Sequence, residues 1–220
     1  MTRAILLPCQ LLGTFAILAF VSTGTLKAIL LLLLWLITFW PIRKKELLLF
    51  VLINIIFVLS DLGAIRNNFF SFTNPDMGVL PYFEFFMWGF YLMHAKRMLN
   101  GPYPRCIEPA AVILALLFAL IFVIAPIGNA MLILSASVLL LSLWKFHERG
   151  DILYLIYLSG IGVIVEWIGL YFNIWQYSQT YLLSFVQIII MWGVAGLYFR
   201  RIVGPLFYEK RQGLDTNKSF

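Results

Sequence analysis

The sequence predicts an all-α, polytopic integral membrane helical bundle of about eight transmembrane helices with both termini cytoplasmic, and three observations predict it. The 220-residue chain is 62% hydrophobic and only 12% charged, whereas a soluble domain is roughly half apolar and a quarter charged. Its apolar residues come in long blocks, not in a short amphipathic rhythm, and its basic residues collect at alternate block ends. One helical crossing takes roughly 20 apolar residues, so residues 1–220 accommodate about eight crossings with short loops, as a single transmembrane domain. Lipid offers the backbone no hydrogen bonds, so only helices and closed barrels span it. Continuous apolar runs exclude the alternating pattern of a barrel.

The first block runs from about Ala4 to Val21, after Arg3. It has the outline of a signal peptide, but no small-x-small cleavage site precedes Lys27, so an uncleaved helix is expected. The second runs from Leu26 to Trp40 and ends at Pro41 and Arg43-Lys44-Lys45. The third, Leu47 to Ile65, is followed by a polar loop, Arg66 to Gly78. The fourth runs from Val79 to Met93 or a little beyond, and His94, Lys96 and Arg97 follow it. The fifth runs from Ala110 to Ile124 and the sixth from Met131 to Trp144, separated by a turn at Pro126, Gly128 and Asn129. The seventh runs from Ile152 to Phe172. A polar, aromatic stretch, Asn173 to Thr180, leads to the eighth, Tyr181 to Phe199, and a polar tail. The blocks show no evident internal repeat, and no matched pair of broken helices of the kind inverted-repeat transporters carry.

Orientation follows from the basic residues. Fourteen of the sixteen Lys and Arg fall on the side that holds both termini and the loops at 41–46, 94–108 and 145–151. Lys27 and Arg66 alone fall on the other. Such asymmetry places the basic side in the cytoplasm, which implies a multi-pass protein of a bacterial or archaeal plasma membrane. The net charge of +6 is thereby explained without nucleic acid, for which a basic, aromatic-rich soluble face is missing. Cys9 and Cys106 lack metal-ligand spacing, so no metal and no cofactor is expected. The partners implied are membrane lipids and a hydrophobic small molecule.

In a membrane span the informative residues are the ionisable ones, which are costly there and face the bundle interior. Asp61, Glu84 and Glu166 qualify, and the topology puts all three in the outer half of the bilayer. On the seventh block Gly162, Glu166, Gly169 and Asn173 share one helical face. Asn54 shares a face with Asp61, and Trp88 and Tyr91 follow Glu84 at helical spacing. Ser184 and Gln187 lie at a similar depth on the eighth, and Trp175, Gln176 and Tyr177 lie in the loop before it. These residues compose a cavity with acid groups, aromatic walls and amide partners. A carboxylic acid kept protonated in a dry pocket is a general acid at neutral pH, and aromatic faces stabilise a developing cation.

Plainer readings stand beside this one. Asp61 can pair with Arg66, five residues on. Glu84 and Glu166 can bond each other or Gln187 as helix glue. Trp35, Trp40 and Trp144 read as interfacial belt anchors, and His94 and His147 as solvated.

The segment Glu166-Trp167-Ile168-Gly169-Leu170-Tyr171-Phe172-Asn173-Ile174-Trp175-Gln176-Tyr177 resembles a pattern of membrane carotenoid cyclases and carotenoid hydratases: a glutamate in a span, then glycine, then a Trp/Tyr-rich turn. Pro81-Tyr82-Phe83-Glu84-Phe85-Phe86 resembles their proline-then-acid helix start, although those cyclases carry two adjacent acids and here Phe85 follows Glu84. The resemblance implies a small polytopic enzyme, of lyase or isomerase type, that protonates an isoprenoid double bond and then closes a ring, adds water or isomerises. On that reading Glu166 or Glu84 donates the proton, with Asp61 in the same network. Trp88, Tyr91, Gly162, Gly169, Asn173, Trp175, Tyr177 and Gln187 then surround the substrate. A small-solute or proton-coupled carrier using the same acids, or a non-catalytic assembly partner, are the alternatives.

Overall fold

Eight α-helices follow one another in the computed structural model, which describes residues 3–100, 103–125, 128–178 and 181–207. They are α1 (Arg3–Phe20), α2 (Gly24–Phe39), α3 (Lys44–Arg66), α4 (Glu84–Leu99), α5 (Pro109–Ile124), α6 (Asn129–Lys145), α7 (Arg149–Tyr171) and α8 (Tyr181–Tyr198). A π-helical turn, Phe199–Val203, and a 3-10 turn, Gly204–Phe207, continue α8. The predicted blocks match these helices within a few residues, except the fourth. Tight turns occupy the Pro81–Phe83 region, where backbone bonds reach only three residues back, so α4 starts at Glu84 and runs on to Leu99. Two three-residue strands, β1 (Phe70–Phe72) and β2 (Trp175–Tyr177), form where the sequence suggested only polar loops, and they pair antiparallel.

Lys44–Arg66, Arg149–Tyr171 and Phe185–Phe207 are each 23 residues long and apolar enough to cross a membrane. At 1.5 Å per residue they reach about 34 Å, against a hydrocarbon core of about 30 Å. Large apolar side chains such as Leu12, Phe20, Ile37, Leu59, Leu116 and Leu140 are exposed around the bundle. Trp40 and Trp144 are exposed as a belt requires, but Trp35 is not an anchor. It is 2% exposed and stacks on Phe50 with ring centroids 4.3 Å apart, because its place on α2 faces α3 and α4.

An internal repeat, missed in the apolar pattern, organises the bundle. The helices α3 and α7 begin and end 105 residues apart, as do β1 and β2. Asn68 and Asn173, also 105 apart, both adopt positive φ, 56° and 53°, to turn the chain out of the helix into the strand. One residue is then lost, and Met87-Trp88-Gly89 recurs as Met191-Trp192-Gly193. The register pairs Ser71 with Gln176, its own counterpart, so an approximate two-fold axis passes through that pair. Helix α1 packs on α7, and its counterpart α5 packs on α3. Each half holds four helices, so both halves run in the same direction.

The end of the bundle opposite the strands, here the basal end, is clamped by matched ionic clusters. Glu46, in the first turn of α3, bonds Lys96 at 2.7 Å and Arg97 at 2.8 Å on α4. Its counterpart Asp151, on α7, is fully buried and takes hydrogen bonds from both Arg200 and Arg201. Two more carboxylates join the second cluster. Glu148 lies 2.8 Å from Arg200 and 3.1 Å from Arg201, and Glu108 lies 2.8 Å from Arg201. The hydrogen bond from Arg200 holds the Glu148 carboxyl below the usual carboxylate range.

Candidate functional site

Three carboxyls that the sequence singled out meet in one cavity at the strand end. Asp61, Glu84 and Glu166 all line it, with Trp88, Tyr91, Trp175, Tyr177 and Trp192 among its walls. Each carboxyl is positioned by a different element. Asp61 sits on the last turns of α3, whose inward face also carries Asn54. The Asn54 amide fixes α4 against α3, accepting from the Gly89 N–H at 2.8 Å and donating to the Phe50 carbonyl at 2.8 Å. Glu84 is the first residue of α4, so Trp88 and Tyr91 fall one and two turns below it on the same face. Glu166 lies on α7 between Gly162 and Gly169.

Glu166 is surrounded by donors. Trp175 Nε1 donates to Oε2 at 3.0 Å, the Tyr177 hydroxyl donates to the same oxygen, and Trp192 Nε1 donates to Oε1 at 3.2 Å. The two glycines admit these rings. A Cβ on Gly162 would overlap the Trp192 indole, and one on Gly169 would overlap the Trp175 indole. β2 presents Trp175 and Tyr177 two residues apart, hence on one face.

Asp61 is partnered differently. Trp88 Nε1 donates to its Oδ2 at 3.2 Å, and its carboxyl lies within hydrogen-bonding reach of that of Glu84. A bond between two carboxyl groups requires a proton on one of them. Asp61 points into the cavity, so the Arg66 pairing does not describe it. Trp88 and Trp192, two-fold counterparts, stack with centroids 4.4 Å apart and so join the Asp61 side to the Glu166 side. The halves differ at the cavity. Glu84 corresponds to Ile188, and Trp175 and Tyr177 correspond to Phe70 and Phe72, all lining the same cavity. One acid has three polar donors, while the other has a second acid.

Among the described residues that line the cavity there is no Lys, Arg or His. Among the described residues no group of three or more His, Cys, Asp or Glu is placed to hold a metal ion. The cavity measures about 60 Å³, where drug-sized ligands need roughly 300 Å³ or more. It has room for the tip of a chain. The buried Tyr91 hydroxyl, in its wall, has no hydrogen-bond partner among the described residues.

Four expected members do not line the cavity: Gly162 and Gly169 lie against the Trp192 and Trp175 rings, and Gln187 and Asn173 lie elsewhere. Gln187 is buried but turned to α6, where its Nε2 donates to Ser135 Oγ at 2.8 Å. Asn173 shapes the turn into β2, and its Oδ1 accepts from the Thr73 hydroxyl at 3.4 Å. The Ser184 side chain lies outside the described residues. Trp192 was missed, since a tryptophan in an apolar block reads equally as belt or core. The Met-Trp-Gly repeat is the signal that marks it. His94 is not solvated. It is 1% exposed, bonding Gln10 Oε1 through Nδ1 at 2.7 Å and the Tyr157 hydroxyl through Nε2 at 2.7 Å. Helix phase explains this: His94 lies one turn beyond Tyr91 on the inner face of α4.

The glycines supply a direct test. Gly169→Ala is expected to displace the Trp175 ring and to destabilise the protein by about 1–3 kcal/mol, the usual cost of overpacking. Gly160→Ala, on the same helix with open space at its Cβ, is expected to be neutral or to stabilise by up to about 1 kcal/mol. Thermal unfolding of the two variants in detergent checks the contrast.

Searches against protein-family models, curated proteins and solved structures find no match to this chain.

Proposed function

We propose that the chain crosses a cell membrane eight times, basal end in the cytoplasm, and that the strand-end cavity protonates a carbon–carbon double bond of a hydrophobic, isoprenoid-like lipid. The apolar exterior and the fourteen basic residues on one side support the topology. The observation that carries the chemistry is the convergence of Asp61, Glu84 and Glu166, from three helices, on one aromatic cavity without a lining cation.

The roles follow from the partners. Glu84, within hydrogen-bonding reach of Asp61, donates its proton to one alkene carbon, and the positive charge appears on the other. Tyr91 and Trp175, aromatic walls of the cavity on which no other ring among the described residues stacks, stabilise that cation. Glu166, anchored by three donors as an acceptor only, supplies the counter-charge. The cation is discharged by attack of a second double bond and proton loss, by addition of water and proton loss, or by proton loss from a neighbouring carbon. In each case the released proton returns to the Asp61–Glu84 pair. The substrate enters end-first from between the helices, in keeping with a cavity of about 60 Å³. The local resemblance to carotenoid cyclases and hydratases points the same way.

A proton-coupled carrier is the second reading. It is favoured by the buried Gln10–His94–Tyr157 network below the cavity, which places polar groups where the sequence had suggested few. Mass spectrometry of lipids extracted from cells with and without the gene separates the readings. A new or lost lipid species is expected for the enzyme, and unchanged lipids with altered solute flux for the carrier.

A further inference from the structure

Helix α2 carries a buried cation where its counterpart carries none. α2 and α6 begin 105 residues apart, so Lys27 on α2 corresponds to Leu132 on α6. The fold accepts an apolar side chain at this place, and burying an ammonium there is costly. Lys27 is nevertheless only 7% exposed. An ammonium has three N–H donors, and among the described residues no acceptor takes one of them. Its Nζ stands 5.8 Å from the centre of the Phe83 ring. Asp76 attracts it from the loop before α4, but no ion pair joins the two. The Asp76 carboxylate instead packs on Gly24 and accepts from the Tyr82 N–H at 3.2 Å. An ionisable group buried at membrane depth without a hydrogen-bonding partner marks a functional site.

Lys27 lines a cavity of about 310 Å³ at the strand end, close to the smallest volume typical of small-molecule sites, roughly 300 Å³. It is the one charged residue among those described that line this cavity, and Ser22, Asn74 and Asn173 are the other polar ones. The Asn173 Oδ1 is occupied by Thr73, and its amide N–H groups remain as donors. Most of the wall is apolar. Phe72 and Phe83 are shared with the acid cavity, and Phe20 and Phe172 lie at the other side. Phe20, 79% exposed, meets Phe172 edge-on with centroids 5.7 Å apart, so this pair frames an opening to the exterior of the bundle.

We propose that this cavity binds a long-chain carboxylic acid in its ionised form, with the carboxylate on Lys27 and the first carbons among the phenylalanine rings. The charge selects a monoanion. One ammonium meets one carboxylate in a charge-assisted hydrogen bond, and the nearby Asp76 disfavours the second charge of a phosphate monoester. The volume and the apolar wall select a chain over a bare anion. The site stands whether or not the acid cavity is catalytic, since it uses none of Asp61, Glu84 and Glu166.

The test is native mass spectrometry of the full-length protein released from uncharged detergent, with dodecanoate, dodecanol, dodecyl phosphate and acetate as probes. One dodecanoate is expected to bind saturably and at least about ten-fold tighter than dodecanol, the typical effect of a hydrogen bond to a charged group. Lys27→Met keeps the apolar stem and is expected to bring dodecanoate down to the level of dodecanol, while Lys27→Arg keeps the preference. Without ligand, Lys27→Met should melt no lower than the parent, because no hydrogen bond or ion pair is lost. Asp76→Asn keeps an acceptor for the Tyr82 N–H and removes a repelling charge. It is expected to tighten dodecanoate about two- to five-fold and to leave dodecanol unchanged, so the proposal stays testable if Lys27→Met fails to fold. Equal binding of dodecanol, displacement of dodecanoate by equimolar acetate, or tighter binding of dodecyl phosphate would overturn the proposal. So would undiminished dodecanoate binding in Lys27→Met, or weakened binding in Asp76→Asn, which would make Lys27 a structural partner of Asp76.

Discussion

Glu84→Gln is expected to abolish lipid conversion while leaving the protein folded. Gln has the shape of Glu and its amide can donate to Asp61, so the contact that ties α4 to α3 survives. What disappears is the acidic proton. Loss of a positioned general acid typically costs about 10²–10⁴-fold in rate, and turnover in membranes should fall by at least that much. Melting temperature should move little. Glu166→Gln behaves differently. A carboxylate offers acceptor sites on both oxygens, whereas an amide offers one oxygen and places N–H groups against a donor. Trp175, Tyr177 and Trp192 all donate to Glu166, so at least one is left unsatisfied. Each buried unsatisfied group costs about 1–3 kcal/mol. Glu166→Gln should therefore lose both activity and stability, and Glu84→Gln activity alone. Comparing product yield with the detergent melting curve of each variant checks the distinction. Under the opposite assignment of donor and counter-charge, Glu84→Gln would keep part of its turnover and Glu166→Gln alone would abolish it.

Asp151→Ala is expected to be the most destabilising single change in the chain. Asp151 is fully buried and bonds two arginines that are themselves 3% and 4% exposed. Removing one partner of a buried ion pair costs about 3–5 kcal/mol, because a charge remains without compensation. Here two guanidinium groups lose their shared acceptor, and the carboxylates that remain, Glu148 at 59% and Glu108 at 36% side-chain exposure, are too well solvated to replace it. The folded fraction on size-exclusion chromatography should collapse. Glu148→Gln, by contrast, should be nearly silent.

The helical, membrane-type architecture and the three acids were legible in the sequence for one reason. Apolar blocks and misplaced charges are local signals, each visible without knowing the fold. Asp61 and Glu166 announce themselves because a carboxyl inside an apolar run demands a partner. The partners were harder. Trp175 and Tyr177 stood out in a short aromatic stretch, but Trp192 looked like any tryptophan in an apolar helix. Gln187 sat at the right depth on the wrong face, because depth is set by counting residues and direction by packing against α6. His94 lay beside Lys96 and Arg97 and so resembled a surface residue. Only the phase of α4 turns it inward. β1 and β2 are three residues each, too short to carry an alternating pattern. The repeat hid because its halves share spacing more than identity. It appears once the helix starts, the positive-φ asparagines and the Met-Trp-Gly triplets are placed side by side.

Deuterium tracing of the product tests the central claim most directly. Membranes containing the protein, supplied with lipid extract in D2O buffer, should place one non-exchangeable deuterium on carbon for each conversion, since Glu84 exchanges with solvent before it donates. The Glu84→Gln variant should place none. A converted lipid without carbon-bound deuterium, or the same labelling from the variant, would contradict proton delivery from this acid and with it the account of the site.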